Sequence, residues 1–256
     1  MDLHFDSTVG NQYHSGTQLA RVLTESWVEK NMYCPRCGSL KLNHFPNNRP
    51  VADFYCPNCY SQFELKSKTG ALGSRINDGA YETMIGRITS NENPDFFFMS
   101  YSRQELQVQN FIIIPKYFFV PDIIEKRKPL ADTARRAGWV GCNILIERIP
   151  VQGRIPIVEN GIASSPAKVV EKVNKTLNLQ TKDIEARGWL LDTLNCVNSI
   201  RSDTFTLDDM YAYELVLSQK HPNNRHVKDK IRQQLQMLRD KGYIEFVSRG
   251  HYRKIV

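Results

Sequence analysis

The stretch DFYCPNCYSQFELK, residues 53–66, organises the first part of the chain. Two short runs rich in aromatic residues flank a Cys-x-x-Cys pair, which is the pattern of two strands joined by a tight turn. Asp53 begins the first run, and Glu64 and Lys66 lie at the end of the second. Because side chains alternate between the two faces of a strand, we expect Glu64 and Lys66 to point the same way, with Asp53 opposite Glu64.

Two carboxylates placed in this way can hold Mg²⁺, which prefers oxygen ligands and keeps several waters. A lysine beside such an ion can orient or deprotonate a water that attacks a phosphodiester. An Asp followed by Glu-x-Lys also arises by chance on solvated surfaces. The apolar neighbours Phe54, Phe63 and Leu65 instead indicate a half-buried strand pair, so a hydrolytic site and a set of surface charges both remain open.

Four of the six cysteines form two Cys-x-x-Cys pairs with 18 residues between them: Cys34 and Cys37, Cys56 and Cys59. Paired knuckles at this separation are typical of a four-thiolate zinc site, here a zinc ribbon. The protein would then fill all four positions of the ion, which predicts a structural rather than a catalytic zinc.

The chain has 256 residues, enough for one large or two small domains. Its apolar runs, such as FFFM at 96–99, are far shorter than the roughly 18 residues of a membrane span, and its first residues lack a secretory pattern. We therefore expect a cytoplasmic protein with no membrane partner. The net charge of +7, of which +5 lies in residues 126–154, favours nucleic acid as the partner.

Periodicity predicts helices at 17–32 and 77–89 and buried strands at 95–101 and 108–114, and Asn160-Gly161 is a type I′ hairpin signal. Such strand pairs with flanking helices indicate an α/β or α+β layer structure. From residue 183 the pattern changes. It predicts helices at 186–200, 207–217 and 225–241, followed by a β-hairpin. That order is typical of a winged helix-turn-helix, so we predict two domains, 1–182 and 183–256.

Two groups of side chains are candidates for DNA contacts. In a recognition helix, the N-terminal end contacts the edges of the DNA bases. The third helix of the second domain has five outward-facing polar side chains near this end: Arg225, His226, Lys228, Arg232 and Gln233. Arg249 and His251 in the hairpin could touch an adjacent DNA backbone or minor groove. In residues 133–141, Arg135 and Arg136 suit phosphates, and Trp139 could stack on a base or a methyl group. The alternatives are a protein-docking module and a loop with a core tryptophan.

Several long segments resemble the DpnI family of methylation-dependent restriction endonucleases: NHFPNNRPVADFYCPNCYSQFELKSK, INDGAYETM, NPDFFF, RKPLADTARRAGWVGCNI and IRQQLQMLRDKGYIEF. The resemblance runs over almost the whole chain. It implies an α/β (α+β) PD-(D/E)xK nuclease domain with an embedded zinc ribbon, followed by a winged helix-turn-helix domain. It also implies a bacterial enzyme that cuts double-stranded DNA at GATC sites carrying N6-methyladenine.

By this resemblance the catalytic residues are Asp53, Glu64 and Lys66, and Mg²⁺ is held by Asp53, Glu64 and the carbonyl of Leu65. The four paired cysteines become the zinc ligands. Ala52 stands where the superfamily pattern has a proline. The implied enzyme is a type II site-specific deoxyribonuclease, and we expect a monomer without an obligate protein partner. Two alternatives stay open: a non-catalytic zinc-ribbon and winged-helix regulator, and a PD-(D/E)xK nuclease of another specificity.

Overall fold

The computed structural model describes residues 1–10, 12–13, 15–46, 52–90, 93–181 and 183–255. Within them, the helices are α1 (Gly16–Asn31), α2 (Tyr81–Thr89), α3 (Pro166–Lys175), α4 (Ile184–Ser199), α5 (Leu207–Tyr211), α6 (Glu214–Lys220) and α7 (Val227–Asp240). The strands are β1 (Asn43–His44), β2 (Phe54–Tyr55), β3 (Gln62–Thr69), β4 (Arg75–Ala80), β5 (Asp95–Ser102), β6 (Gln107–Ile114), β7 (Ile124–Lys126), β8 (Gly141–Leu145), β9 (Ile155–Glu159), β10 (Ile162–Ala163), β11 (Thr204–Thr206), β12 (Ile244–Ser248) and β13 (His251–Lys254). The mixed α/β class expected from the sequence is confirmed.

The largest sheet has the strand order β1-β2-β3-β5-β6-β9-β10. Its neighbours are antiparallel except β3 and β5, which run parallel in a register from Phe63 opposite Asp95 to Thr69 opposite Tyr101. Parallel neighbours need a crossover connection, and β4 and α2 provide it. β4 leaves the large sheet and pairs with β8, which in turn pairs with β7, in a second sheet.

The large sheet is buried on both faces because side chains of β5 enter two different apolar clusters. Phe97 packs in a cluster with Trp27 of α1 and Val173 of α3. Phe96 and Phe98 point to the other face, into a cluster that includes Met84 of α2. Each of the three phenylalanines is fully buried. This double coverage explains why β5 has an almost unbroken apolar sequence, as buried parallel strands do.

The second of these clusters continues into the C-terminal part of the chain, where it includes Trp189 of α4 and Ile231 of α7. Polar contacts cross the same junction: the amide of Asn178 donates to the Lys241 carbonyl. The domain boundary near residue 182 stays a prediction, and residue 182 itself lies outside the described residues. No helix in the described part of the chain is long and apolar enough to cross a bilayer.

The helix predicted over 77–89 is wrong at its start. Residues Arg75–Ala80 form β4, and the helix begins at Tyr81. Asn77 and Asp78, at which the predicted helix would start, instead belong to β4, where Asp78 lies opposite Cys142 of β8. A strand partner so distant in sequence leaves no local signal and overrides local propensity. Residues 50 and 51, shortly before Asp53, lie outside the described residues.

The predicted C-terminal order of helices and hairpin is confirmed, with three corrections. The second helix is divided into α5 and α6. The third begins at Val227, so Arg225 and His226 precede it rather than lie within it. β11 adds a third strand beside the hairpin. The ends of two helices have the residues typical of such positions. Thr206 caps the start of α5 through a reciprocal capping box, and Gly242, with a φ of 77°, follows the end of α7.

Candidate functional site

The ligand atoms of four cysteines lie within 4.8 Å of one another: Cys34, Cys37, Cys56 and Cys59. The Sγ atoms of Cys34 and Cys59 are 3.6 Å apart, as are those of Cys37 and Cys56. A tetrahedral zinc site with Zn–S bonds of about 2.3 Å has sulfur–sulfur distances of about 3.8 Å. The four thiols therefore fit a zinc ion.

Hydrogen bonds around the cluster also suit bound thiolates. The backbone N–H of Asn58 donates to the Cys56 sulfur over 3.4 Å, and its side-chain amide donates to the Cys37 sulfur over 3.5 Å. Slight burial opposes the thiolate of Cys37, but hydrogen bonds from the Asn58 side chain, the Ser39 backbone amide and the neighbouring cysteines lower the pKa of its thiol to about 6. Burial raises the pKa of the Cys34 thiol instead. Zinc binding would displace that proton, because zinc binds the thiolate form.

The second cysteine pair forms the turn between β2 and β3, and this turn positions Asp53 and Glu64. Phe54 lies opposite Phe63, and the Asp53 amide donates to the Phe63 carbonyl over 2.9 Å. Asp53 directly precedes β2, and the electrostatic interaction between its carboxyl group and that of Glu64 shows that the two lie near each other. The Leu65 amide donates to Oδ2 of Asp53 over 2.7 Å. Burial raises the pKa of Asp53, and the neighbouring charge of Glu64 raises it further, against that hydrogen bond.

Lys66 lies on the same face of β3 as Glu64, with its Nζ 2.6 Å from Oε1 of Glu64 and in contact with the Asp78 carboxylate. Arg87 of α2 binds the other oxygen of Glu64, Oε2, over 2.5 Å. Burial opposes the charge of Lys66, but the two carboxylates raise the pKa of its ammonium group. In this arrangement Lys66 is a charged hydrogen-bond donor at neutral pH.

Asp78 and Arg87 are thus members of the site that the sequence pattern does not identify. Both belong to the crossover between β3 and β5, so the fold brings them to Lys66 and Glu64 from later in the chain. The Asp78 side chain is only 5% exposed. Nothing in the local sequence marks either residue, because their approach depends on the pairing of β4 with β8.

A further carboxylate approaches Asp53 from α1. Burial and the charge of Asp53 both raise the pKa of Glu25, and Nε2 of His44 lies 3.3 Å from its Oε2. Among the described residues, no hydrogen-bond donor contacts the second oxygen of Asp53, Oδ1. Three neighbouring carboxylates, one of them with a free oxygen, make a hard oxygen donor set. Such a set fits an ion of the Mg²⁺ type.

The loop with Trp139 is closed by backbone hydrogen bonds, in which Leu130 donates to the Trp139 carbonyl and Gly138 donates to the Leu130 carbonyl. The ring of Trp139 is half-buried, and the guanidinium of Arg136 stacks over it at 4.5 Å from the ring centre. A Cβ at Gly141 would lie 2.8 Å from this ring, so the ring position requires glycine there. Trp139 is outside both apolar clusters, and Arg135 is exposed.

The polar side chains predicted to face outward in the C-terminal part are exposed: Arg225, His226, Lys228, Arg232, Gln233 and Arg249. Two of them have protein partners. Arg232 donates to the hydroxyl of Tyr211 and pairs with Asp229, and Lys228 lies 3.5 Å from Glu214. Arg225 forms no ion pair within the described residues and stands directly before α7. These are the features of a helix-turn-helix surface with an available cation at the start of its third helix.

The fold and its sites define a class of protein: a mixed α/β chain with a four-cysteine metal site and a C-terminal domain of the helix-turn-helix type. Comparison with protein families makes this more specific. Residues 1–182 match the DpnI profile, described as the Dam-replacing family, and residues 185–254 match DpnI_C, the Dam-replacing HTH domain. The chain belongs to the DpnI family, as its sequence segments indicate.

The four-cysteine cluster predicts one tightly bound zinc ion per chain. Cys37→Ser replaces an exposed thiol with a hydroxyl, a poor zinc ligand, and should lower both the zinc content and the Tm. Cys196→Ala, at a cysteine outside the cluster, should keep the zinc. Metal analysis of the purified proteins by atomic emission, with thermal unfolding, measures both quantities. A Cys37→Ser protein that retained a full equivalent of zinc would contradict the assignment.

Proposed function

We propose that this protein is a methylation-dependent type II restriction endonuclease. It cuts double-stranded DNA at GATC sites that contain N6-methyladenine, by Mg²⁺-dependent hydrolysis of a phosphodiester. Residues 1–182 form the PD-(D/E)xK nuclease domain and residues 183–256 the winged-helix domain, and the enzyme works as a monomer in the bacterial cytoplasm. The observation that carries the proposal is the meeting of Asp53, Glu64 and Lys66 at one half-buried site in a DpnI-family chain.

The burial of Glu64 and Lys66 favours a nuclease over the main alternative, a non-catalytic DNA-binding regulator. In a non-catalytic regulator Glu64 and Lys66 would be surface charges, with little reason to be desolvated. Instead Glu64 is 9% exposed, and its two oxygens bind cations from different elements. Buried charges are costly unless they are paired, and removing one partner leaves an uncompensated charge. A site of this kind is more typical of a reaction centre than of a solvated face.

In the proposed hydrolysis, different residues bind the metal ion and orient the attacking water. Asp53, Glu64 and the Leu65 carbonyl would hold Mg²⁺, which when bound polarises the scissile phosphate and lowers the pKa of water. Lys66 donates a hydrogen bond to the attacking water and orients it in line with the P–O3′ bond. The water oxygen bonds to phosphorus as that bond breaks, and the departing O3′ takes up a proton. The products are a 5′-phosphate and a 3′-hydroxyl.

Recognition of the methyl group needs more than one contact. Burying one methyl contributes about 1 kcal/mol, which corresponds to roughly fivefold discrimination. Reading both strands, or reading the site with both domains, multiplies this factor. We propose that both domains contact the methylated DNA. Trp139 is the aromatic candidate in the first domain, because its ring is half-exposed and the guanidinium of Arg136 lies over it. The exposed groups at the start of α7 are the candidates in the second domain.

Two plasmid preparations, with and without N6-methyladenine, test the activity directly. We expect the protein to cut only the methylated plasmid, and only with Mg²⁺. Lys66→Met removes the ammonium that orients water and should lower the cleavage rate by at least 10²-fold, with little effect on DNA binding. Lys68→Met, two residues along the same strand, is the control and should cleave normally. Equal cutting of both plasmids would favour a nuclease of other specificity, and full activity of Lys66→Met would remove its assigned role.

The second domain predicts a separate effect on binding. Arg225→Ala should weaken the binding of methylated duplex and reduce the slope of log Kd against log salt by about 0.9, the effect of one lost phosphate contact. Arg239→Ala is the matched control, since Arg239 lies at the other end of α7 and pairs with Asp240. Fluorescence anisotropy without divalent cations measures both, because the DNA stays uncut. An unchanged slope in Arg225→Ala would contradict a DNA contact at this residue.

A further inference from the structure

A cavity of about 200 Å³ lies where the two parts of the chain meet. Its apolar wall includes Val151, Ile155 and Pro156, and its basic wall consists of Arg154 with Lys172 and Lys175 of α3. Tyr243, which precedes β12, completes it from the C-terminal part, and its hydroxyl donates to the Lys175 carbonyl over 3.2 Å. The cavity is thus lined by both halves of the chain and is separate from the Asp53 site.

Within the part of the chain that the structure describes, the three cations of this cavity have no anionic partner. The Nε of Arg154 is buried without a hydrogen-bond acceptor, and its guanidinium forms no ion pair within the described residues. Burial lowers the pKa of Arg154, and no carboxylate counteracts this effect. In the same part of the chain, neither Lys172 nor Lys175 forms an ion pair. By contrast, Arg36, which is also partly buried, is held by both oxygens of Asp95.

An unpaired, partly buried cation beside two like charges is unfavourable, because desolvation and mutual repulsion both oppose it. A bound anion removes both penalties. We propose that this cavity is a binding site for a phosphate group, held by Arg154, Lys172 and Lys175. A guanidinium and two ammonium groups suit phosphate oxygens, and the cavity is smaller than the roughly 300–1,000 Å³ of pockets for drug-sized ligands.

The phosphate group has two possible sources with the same chemistry: the backbone of DNA that passes over the junction, and a free phosphate compound. Only the first rests on the proposed function. Because both parts of the chain line the cavity, the ligand in either case bridges them. It therefore stabilises the folded chain as a whole, and its effect on thermal unfolding can be measured without any cleavage assay.

The test uses the full chain in two arms. In the first, thermal unfolding is followed with increasing inorganic phosphate at constant ionic strength. The wild type should show a Tm that rises with phosphate, and Lys172→Gln/Lys175→Gln and Arg154→Gln should lose that rise. The control is Lys30→Gln/Lys168→Gln, which removes the same charge from exposed sites on α1 and α3 outside the cavity and should keep the rise.

In the second arm, the salt dependence of duplex DNA binding is measured for the two double variants without divalent cations. The measured quantity is the slope of log Kd against log salt. DNA is identified as the source of the phosphate if this slope is lower by about 1.8 in Lys172→Gln/Lys175→Gln than in the control, which is about 0.9 per lost contact. A phosphate-dependent Tm with equal slopes identifies a free phosphate compound. If the cavity variant and the control agree in both arms, the proposal is overturned, and this holds whether or not the protein cleaves methylated DNA.

Discussion

The Leu65 amide holds the Asp53 carboxylate across the β2–β3 hairpin, and the turn of that hairpin is one half of the four-cysteine cluster. A two-stranded hairpin is marginal by itself in water. Zinc would join its turn to the first cysteine pair, and structural zinc contributes on the order of 10 kcal/mol to the folding of small metal-bound modules. Asp53 and Glu64 would then owe their relative position to a metal that takes no part in the chemistry. The cluster and the acidic pair are best understood as one unit.

A chain of alternating charges extends this unit into the rest of the fold. Asp78 contacts Lys66, Lys66 contacts Glu64, and Glu64 contacts Arg87, so the small sheet, the large sheet and α2 meet through four side chains. The crossover that makes β3 and β5 parallel consists of β4 and α2. Because these two elements carry Asp78 and Arg87, the same connection that sets the strand order also brings the charges to Lys66 and Glu64. Loss of any one member would leave its neighbours desolvated and unpaired, which is costly in a half-buried site.

Sequence reasoning succeeded where the signal was local. Strand alternation places Glu64 and Lys66 on one face, the Cys-x-x-Cys pairs meet, and Asn160-Gly161 turns between β9 and β10 with positive φ at both residues. It failed where the partner is remote in sequence: Asp78 falls in the run predicted to be helical, but its segment is a strand because it pairs with β8. Arg87 and the cavity at Arg154 depend in the same way on contacts between distant elements. Side-chain burial, which separates a reaction centre from surface charges, is also a property of the folded chain alone.

The central claim is that Asp53 and Glu64 bind one catalytic divalent ion in addition to the zinc. Titration of the zinc-loaded, DNA-free protein with Mn²⁺, followed by electron paramagnetic resonance, measures this binding without reference to cleavage. We expect one Mn²⁺ site in the wild type. Both Asp53→Asn and Glu64→Gln should weaken Mn²⁺ binding by more than about tenfold, the smallest usual effect of losing even an outer-shell partner. Asp122→Asn, far from the hairpin in sequence, should bind as the wild type does. Unchanged Mn²⁺ binding in both site variants would contradict the account.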